Sequence, residues 1–472
     1  MKTSPAGTVE PRGRDAGLAL YRYDFSVPAD ERQPLARAWL WLAVAALVGS
    51  GLFAVLLVGA RTPGVQALLP GVDFFHVALV VHVDLSVLVW FVSIAGLMWS
   101  LSGAARWIEV GWAGWALCAL GALTMAAAPF IDVGAPVMSN YVPVITSRMF
   151  LYGLVLFGLG LGIVTLRALA FPGRVGLSLP GEGVMRFGLS AAAVATAVTL
   201  GAQVWSWLAL RQGLTQGLED RTYFELLFWG PGHVLQFTWT LLMLVSWLWL
   251  ATLTEAPLPL SPRVVVLLFG VALVSVFATP VIYLAWDVGS VEHSKLFTWL
   301  MRFGGGLAIL PMVLALCVGV ARAAACPQWA RPLRSALWSS VALFCIGGGI
   351  GFLIQGSDVR IPAHYHGSIV GVTLALMGAA YALMPRLGLG TPQSRLAVWQ
   401  PVIYGTGQLM HIVGLVWSGG YGVQRKVAGA AQVLRTPQEV AGMGLMGLGG
   451  LVAIIGGLLF IVVVWRTARS RA

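Results

Sequence analysis

The stretch Ile361-Pro-Ala-His-Tyr-His-Gly-Ser-Ile-Val370 places two histidines, His364 and His366, in a long apolar segment. A helix advances about 100° per residue, so residues two apart point to nearly opposite faces. An apolar helix with an imidazole on each face can ligate two separate metal centres at one depth in a membrane. Because ionisable side chains inside a bilayer are costly and usually functional, the stretch predicts a transmembrane helix of a metal-binding protein.

Composition indicates a membrane protein and not a globular enzyme. The 472 residues are 58% hydrophobic and 10% charged, with a mean hydropathy of +0.85. The predicted fold class is an all-α polytopic membrane protein. A span needs about 20 apolar residues, and twelve segments qualify: 38–60, 74–101, 108–130, 143–166, 185–210, 222–252, 264–287, 296–321, 335–356, 362–384, 396–420 and 440–465.

These spans predict one twelve-helix domain over 38–466, with a polar cytoplasmic tail at 1–37 and a short one at 467–472. Most of the 29 lysines and arginines fall on the N-terminal side of the membrane if both termini are cytoplasmic. This bias accounts for the net charge of +11, which we do not interpret as a nucleic-acid footprint. The four cysteines lack metal-ligand or disulfide spacing, and we interpret them as structural.

The histidines are few and share one layer. Of the seven histidines, five lie in or beside long apolar runs. In the predicted topology, the second, sixth and tenth spans all descend from the outer side. Four imidazoles then fall in the outer half of the membrane, a coincidence of depth that favours metal or heme ligation: His82, His233, His364 and His366. His76 and His411 are interpreted as structural residues. Asp84 is interpreted as a residue that supports a heme ligand without binding the heme itself.

Four motifs resemble the catalytic subunit of the heme–copper oxidase superfamily, which includes terminal oxidases and nitric oxide reductases. Ala363-His-Tyr-His-Gly367 is close to the family's Ala-His-Phe-His signature. The other three are Val80-Val-His-Val-Asp-Leu-Ser-Val-Leu-Val-Trp-Phe91, Phe228-Trp-Gly-Pro-Gly-His233 and Gly419-Gly-Tyr-Gly-Val-Gln-Arg-Lys426. The resemblance covers nearly all of the twelve-helix body.

The resemblance implies two hemes, of b type by analogy, and one non-heme metal, copper or iron. It implies that His364 is the axial ligand of the high-spin heme and that His82 and His366 ligate the low-spin heme. It implies further that His233 binds the non-heme metal. The adjacent cations Arg425 and Lys426 occupy the positions that pair with heme propionates, and two hydrogen-bonding cations suit two carboxylates.

Departures from the family pattern lie in the seventh span. The pair of histidines that completes the family's copper site is absent, and Asp287 stands in its place. A carboxylate would make the site harder and more tolerant of iron. Phe237 replaces the tyrosine found four residues after the metal-binding histidine in many oxidases. Tyr283 could substitute for it, or be a core tyrosine. His293 is either an extra ligand or a surface histidine.

Proton supply favours the same branch of the family. Glu225, eight residues before His233, could be a proton relay or second carboxylate ligand, or an ordinary helix-start acid. No lysine lies inside a predicted span, so the inward lysine and glutamate channels of proton-pumping oxidases have no counterpart. Asp287 and Glu225 are therefore candidate catalytic residues of a nitric-oxide-reductase-like enzyme, and Tyr283 is the candidate catalytic residue of the dioxygen-reducing alternative.

Three functions stay open at this point. The first is reduction of nitric oxide to nitrous oxide without proton pumping, the second is dioxygen reduction using Tyr283, and the third is a non-catalytic membrane cytochrome. The chain has no cupredoxin segment and no Cys-x-x-Cys-His heme attachment. We therefore expect an electron-donor subunit, cupredoxin-like or cytochrome c-like, in the inner (cytoplasmic) membrane.

Overall fold

The computed structural model describes residues 19–61, 74–176, 178–214, 216–323, 325–355, 358–425 and 434–470. These residues form fifteen α-helices and one small hairpin. The helices are α1 (Arg32–Arg61), α2 (Phe74–Val83), α3 (Trp90–Ser102), α4 (Ile108–Ile131), α5 (Arg148–Ala170), α6 (Gly181–Leu210), α7 (Asp220–Leu253), α8 (Pro262–Val276), α9 (Ala278–Ala285), α10 (Val291–Trp299), α11 (Ile309–Ala321), α12 (Arg331–Gly351), α13 (Arg360–Arg386), α14 (Arg395–Gly420) and α15 (Pro437–Arg469).

The predicted class is confirmed: the chain is a polytopic all-α protein of membrane type. Eleven helical segments among the described residues are long and apolar enough to cross a bilayer. The predicted span at 396–420 is present as α14 but is not one of the eleven. The number of crossings and the cytoplasmic placement of both termini stay predictions.

Three predicted spans are interrupted where the helical hydrogen-bond pattern changes. A π-helical segment, Asp84–Val89, joins α2 to α3. The break between α8 and α9 follows from Pro280, whose missing N–H cannot bond the carbonyl of Val276, the last residue of α8. Between α10 and α11 the chain passes through a π-helical turn and then a 3₁₀ turn, Gly305–Ala308, in a run of three glycines.

Residues before α5 form a hairpin and not the start of the span predicted at 143–166. Strand β1 (Pro136–Val137) pairs antiparallel with β2 (Val144–Ile145). Helix α5 begins at Arg148 because the Ser147 hydroxyl caps it, accepting the Phe150 N–H at 3.1 Å. The hairpin bears directly on the site described below.

Residues 19–31, part of the predicted N-terminal tail, pack against other parts of unit 1. Helix α1 begins at Arg32, six residues before the predicted span. The preceding residues pack near the end of α7: Tyr21 bridges Leu258, and the fully buried Tyr23 donates its N–H to Thr252. Residues 1–18 and 471–472, in the two predicted tails, lie outside the described residues.

The chain divides into two compact units, a division that the predicted single domain did not anticipate. Unit 1 comprises Met1–Leu57 and Ala67–Ala324, and unit 2 comprises Val58–Gln66 and Ala325–Ala472. Unit 1 contains α2 to α11 with most of α1, and unit 2 contains α12 to α15.

Glycines set the closest helix packing inside unit 2. A Cβ at Gly407 or Gly414 of α14 would collide with the backbone of α15, and one at Gly442, Gly449 or Gly456 would collide with atoms of α14. The glycines recur every seven residues, so one face of each helix is stripped of side chains. Small residues at such positions allow backbones in apolar surroundings to approach closely. In unit 1 the same spacing joins α4 to α5 through Gly114, Gly121, Gly153 and Gly160.

Gly449→Ala should lower the free energy of unfolding by about 1–3 kcal/mol, because the added methyl meets backbone atoms that cannot rotate away. Gly444→Ala is the matched control on the same helix: its Cβ meets nothing within 4 Å. Both variants gain about 1 kcal/mol of helix propensity, so their difference isolates the packing term. Denaturant unfolding in detergent followed by circular dichroism measures it. Equal stability of the two variants would contradict this packing.

Candidate functional site

Five of the seven histidines are held in one way: Nδ1 lies within hydrogen-bond distance of a backbone carbonyl oxygen. A carbonyl oxygen only accepts, so Nδ1 carries the hydrogen and Nε2 keeps its lone pair. This is the tautomer that metal-ligating histidines adopt, with the second nitrogen bonded to fix the ring. The five contacts are His82 to Ser50 (2.9 Å), His233 to Trp229 (2.6 Å), His364 to Gly347 (2.7 Å), His366 to Pro362 (2.8 Å) and His411 to Met446 (3.0 Å).

In unit 2, the two histidines of α13 contact different neighbouring helices. This agrees with the opposite helix faces expected from their spacing. His364 bonds the carbonyl of Gly347 on α12. His366 lies against His411 of α14, with 4.8 Å between ring centroids. The helix therefore presents one imidazole toward α12 and the other toward α14.

A glycine on α12 makes room for His364. A Cβ at Gly351 would lie 2.9 Å from two atoms of the His364 ring. Sequence reasoning passed over this residue because the run Gly347-Gly-Gly-Ile-Gly351 reads as ordinary small-residue packing. Its position one helical turn after the carbonyl that anchors His364 shows that α12 is shaped around the imidazole.

His411, interpreted from the sequence as a structural residue, lies against His366, the predicted ligand of the low-spin heme. Its Nδ1 donates to the Met446 carbonyl of α15, and its ring is tilted 46° to that of His366. A lone histidine in an apolar helix carries no sequence signal of such a pairing. The contact depends on the packing of α13 against α14.

His82 of unit 1 is fixed by the helix before it. Its Nδ1 lies 2.9 Å from both the carbonyl oxygen and the hydroxyl of Ser50 in α1. Two residues later the chain enters the π-helical segment at Asp84, which is 2% exposed. Its Oδ2 has no hydrogen-bond partner among the described residues. π-Helical turns within α-helices are frequent at functional sites.

His233 of α7 is the centre of a buried aromatic cluster in unit 1. It is 2% exposed, and its Nε2 lies 2.8 Å from the hydroxyl of Tyr141, which stands between β1 and β2. Because Nδ1 donates to Trp229, Nε2 accepts and the tyrosine donates. The Tyr141 ring packs at 4.7 Å from the imidazole and the Trp229 ring at 4.8 Å.

Two glycines of the Trp-Gly-Pro-Gly-His motif admit two tyrosines. A Cβ at Gly232 would collide with the ring of Tyr141, and one at Gly230 would lie 2.5 Å from the hydroxyl of Tyr283. The two tyrosines occupy the space that a larger residue would need at Gly230 or Gly232, which explains the glycines at these positions. Sequence reasoning did not identify Tyr141, because its neighbour His233 is 92 residues away and the hairpin between them was not predicted.

Tyr283 lies in the same part of unit 1. It is 6% exposed, and its hydroxyl lies 2.7 Å from that of Ser206 in α6. Its ring centroid is 4.9 Å from that of His293 in a T-shaped contact. Phe297 packs beside both residues, at 5.5 Å and 4.8 Å. This burial is also that of a core tyrosine, and the catalytic role of Tyr283 stays a prediction.

The alternative of a surface location for His293 is wrong: this residue, in the first turn of α10, is fully buried. Neither of its ring nitrogens has a hydrogen-bond partner among the described residues. Its ring and that of His233 both contact Phe297. A buried polar group without a partner carries a desolvation cost of about 1–3 kcal/mol, so His293 is a strong candidate ligand.

Asp287, predicted to be a metal ligand, lies beside the turn between α9 and α10, and that role stays a prediction. It follows the end of α9 and is exposed, and its backbone carbonyl accepts the Ser290 N–H in the turn before α10. His293 is thus the more suitable donor of the two. Across the described residues, no group of three or more histidine, cysteine or acidic side chains is close enough to hold a metal ion.

Glu225 holds the hairpin that carries Tyr141. Its carboxylate accepts the backbone N–H of Asn140 at 3.0 Å and also the Asn140 side-chain amide. Burial, and then the negative charge of Glu225, raise the pKa of Tyr141, so the phenol is protonated at neutral pH. The structure therefore gives Glu225 a positioning contact, while its predicted roles as proton relay or ligand stay predictions.

The loop bearing Arg425 is tied to the start of α13. Asp358 pairs with Gln424 in an isolated bridge and forms a 2.6 Å ion pair with Arg360. Hydrogen bonds from the Arg360 guanidinium lower the pKa of Asp358. Gln424, the residue before Arg425, is therefore anchored beside the N-terminal end of α13. His364 and His366 lie near that end of the helix. Lys426, the second predicted propionate partner, lies outside the described residues.

The two candidate metal ligands can be tested against each other. If the predicted non-heme metal is bound through His293, His293→Leu should remove it from the purified protein. The fold should be retained, because leucine replaces a buried imidazole that makes no hydrogen bond within the described part of the chain. Asp287→Asn should leave metal content unchanged, because its exposed carboxylate is solvated by water. Metal analysis by mass spectrometry, with circular dichroism as the folding control, measures both. Metal loss in Asp287→Asn with retention in His293→Leu would reverse this assignment.

Comparison with known proteins adds relatives but no activity. No protein-family model matches the chain. It is similar to an uncharacterized protein of Rickettsia prowazekii, 27% identical over 505 residues that cover 92% of this chain and 96% of the relative. It is also similar to an uncharacterized protein of Aquifex aeolicus, 28% identical over 354 residues that cover 74% of this chain and 84% of that relative. A functional conclusion must therefore rest on the site itself.

Proposed function

We propose that this chain is a heme-containing membrane oxidoreductase of the heme–copper superfamily type that reduces nitric oxide to nitrous oxide. The observation that carries the proposal is the common arrangement of five buried or half-buried histidines, each with Nδ1 donating to a carbonyl. One such histidine is common in a protein core. Five of the seven in one apolar chain support a set of ligands.

The residues of unit 2 fit heme ligation. His364 and His366 present their imidazoles toward different helices, and each ring is oriented by a backbone carbonyl. Arg425 provides a cation beside the same end of α13, where carboxylate groups of a heme would need one. His82 belongs to unit 1, and its pairing with His366 on one low-spin iron stays a prediction from the family resemblance.

The residues of unit 1 fit a non-heme metal held by His233 and His293. Imidazole suits copper, iron and zinc, and burial beside Trp229 and Phe297 excludes water from the site. Asp287, the ligand predicted from the sequence, is replaced by His293 in this proposal. When bound, hemes and metal would supply electrons and an open coordination position for a small gas molecule.

Nitric oxide is the proposed substrate because the reaction makes modest demands on proton supply. Two nitric oxide molecules, two electrons and two protons give nitrous oxide and water, and no bond within dioxygen has to be cleaved. Phe237 cannot donate a hydrogen atom, and no lysine lies within the predicted spans. An electron-donor subunit, cupredoxin-like or cytochrome c-like, and residence in the inner membrane form part of the proposal.

Dioxygen reduction is the second candidate, and one observation favours it. The buried Tyr283 hydroxyl lies against Ser206, and its ring contacts His293. A tyrosine in this position could hold a proton at Oη and pass it toward the metal-binding imidazoles. A non-catalytic cytochrome is the third candidate, which a purified protein with hemes and without non-heme metal would support.

His364→Ala and His366→Ala should differ in kind. Loss of His366 should abolish the spectrum of a low-spin iron with two imidazole ligands. Loss of His364 should spare that spectrum and remove carbon monoxide binding, because an iron with one imidazole is the one open to a gas. His76→Ala is the control that leaves both signals. Optical spectra of the reduced protein with and without carbon monoxide decide it, and identical spectral damage would contradict separate roles.

Tyr283→Phe should leave nitric oxide consumption within about twofold of wild type, because the proposed reaction requires no hydrogen atom from tyrosine. In a dioxygen reductase the same change should lower turnover by at least about 100-fold, within the range attributed to proton transfer by a positioned group. Ser206→Ala, which removes the hydroxyl partner and retains the phenol, is the control. Parallel electrode measurements of both gases separate the two functions; rapid dioxygen uptake by wild type that Tyr283→Phe abolishes would favour the second.

A further inference from the structure

We propose that Tyr141 is a ligand of the non-heme metal, binding through its phenolate oxygen beside Nε2 of His233. The inference rests on the proposed function and extends it, because it adds an oxygen donor from outside the membrane helices to a site of imidazoles. No sequence motif indicated this residue.

The distance between the Tyr141 oxygen and His233 Nε2 suits two ligands of one metal. The Tyr141 oxygen and His233 Nε2 are 2.8 Å apart. Two ligands at bond lengths of about 2.0–2.1 Å that meet a metal at a right angle are separated by about 2.9 Å. The two atoms could therefore serve one ion as adjacent ligands with a small rotation of either ring, in place of the hydrogen bond they now form.

The side chain of His293 gives independent support for a metal at this site. It is fully buried, and both of its nitrogens lack hydrogen-bond partners in the described part of the chain. Its ring and that of His233 both pack against Phe297. A bound cation would give this imidazole the partner that the described residues do not provide.

The fold holds Tyr141 in place beside His233. The hairpin of β1 and β2 brackets the loop, and Glu225 accepts two hydrogen bonds from Asn140, the residue before the tyrosine. Gly232 leaves the space that the ring occupies. A ring needed only to fill this space would not require a hydroxyl aimed at Nε2.

Ligation exchanges the O–H bond of the phenol for an oxygen–metal bond, and the proton is released to the bulk solution as the metal enters the site. No electron is transferred in this step. A phenolate is a hard, anionic donor, so with two imidazoles it would favour iron or another metal that accepts oxygen ligands. The resulting donor set would be two nitrogens and one oxygen, with positions left for a small substrate.

The test uses the purified, heme-containing protein whose non-heme metal has been removed by a chelator and replaced by Co²⁺. Cobalt X-ray absorption reports this site separately from heme iron. Tyr141→Phe should lower Co²⁺ affinity by at least about 100-fold, because even the loss of a residue that only hydrogen-bonds a metal ligand costs about 10–100-fold. It should also remove one short oxygen from the cobalt shell. Tyr141→His, which offers a different donor, should recover affinity. The control Tyr223→Phe, at a buried tyrosine ten residues before His233 on α7, should change neither readout.

Co²⁺ affinity and a cobalt shell that are unchanged in Tyr141→Phe would overturn this inference while leaving the proposed function intact. Failure of wild type to bind Co²⁺ would overturn it as well. Absence of heme from purified wild type would overturn the proposed function itself, independently of the cobalt result. Heme spectra of Tyr141→Phe that match wild type establish that the variant is folded.

Discussion

The hydrogen bond from an imidazole Nδ1 to a backbone carbonyl is the interaction on which the candidate site depends. In an apolar interior a histidine without a partner is costly, and one whose ring can rotate is a poor ligand. The bond addresses both problems, because it satisfies one nitrogen and directs the other. His233 uses the carbonyl four residues earlier in its own helix, whereas His364 uses that of a neighbouring helix. Helix packing and ligand orientation are therefore linked.

Glycine has two distinct tasks in this chain. Along α14 and α15 it removes side chains so that two backbones can meet, which supplies packing where water provides no driving force. At Gly232 and Gly351 it instead leaves room for an aromatic or imidazole ring next to a metal-ligand candidate. Adding a methyl group would have different consequences in the two settings: loss of stability in the first, displacement of a functional side chain in the second.

The contrast between Asp287 and His293 shows what burial contributes. Both stand near the turn between α9 and α10, and the family pattern drew attention to the acid. The acid is exposed, where water compensates its charge, and the histidine is enclosed, where nothing in the described chain compensates its nitrogens. A desolvated group without a partner is the stronger indication of a ligand, because its burial has to be offset by something.

The sequence by itself determined the membrane class, nearly all of the helices and the opposed faces of His364 and His366. These properties follow from local composition and from helix periodicity, which do not depend on distant residues. Only the tertiary structure decided that Tyr141 meets His233, that His366 meets His411 and that His293 is buried. Each of these contacts joins residues on separate elements, or depends on how a turn folds back. Neither spacing nor hydropathy encodes such positions, because they arise when helices pack.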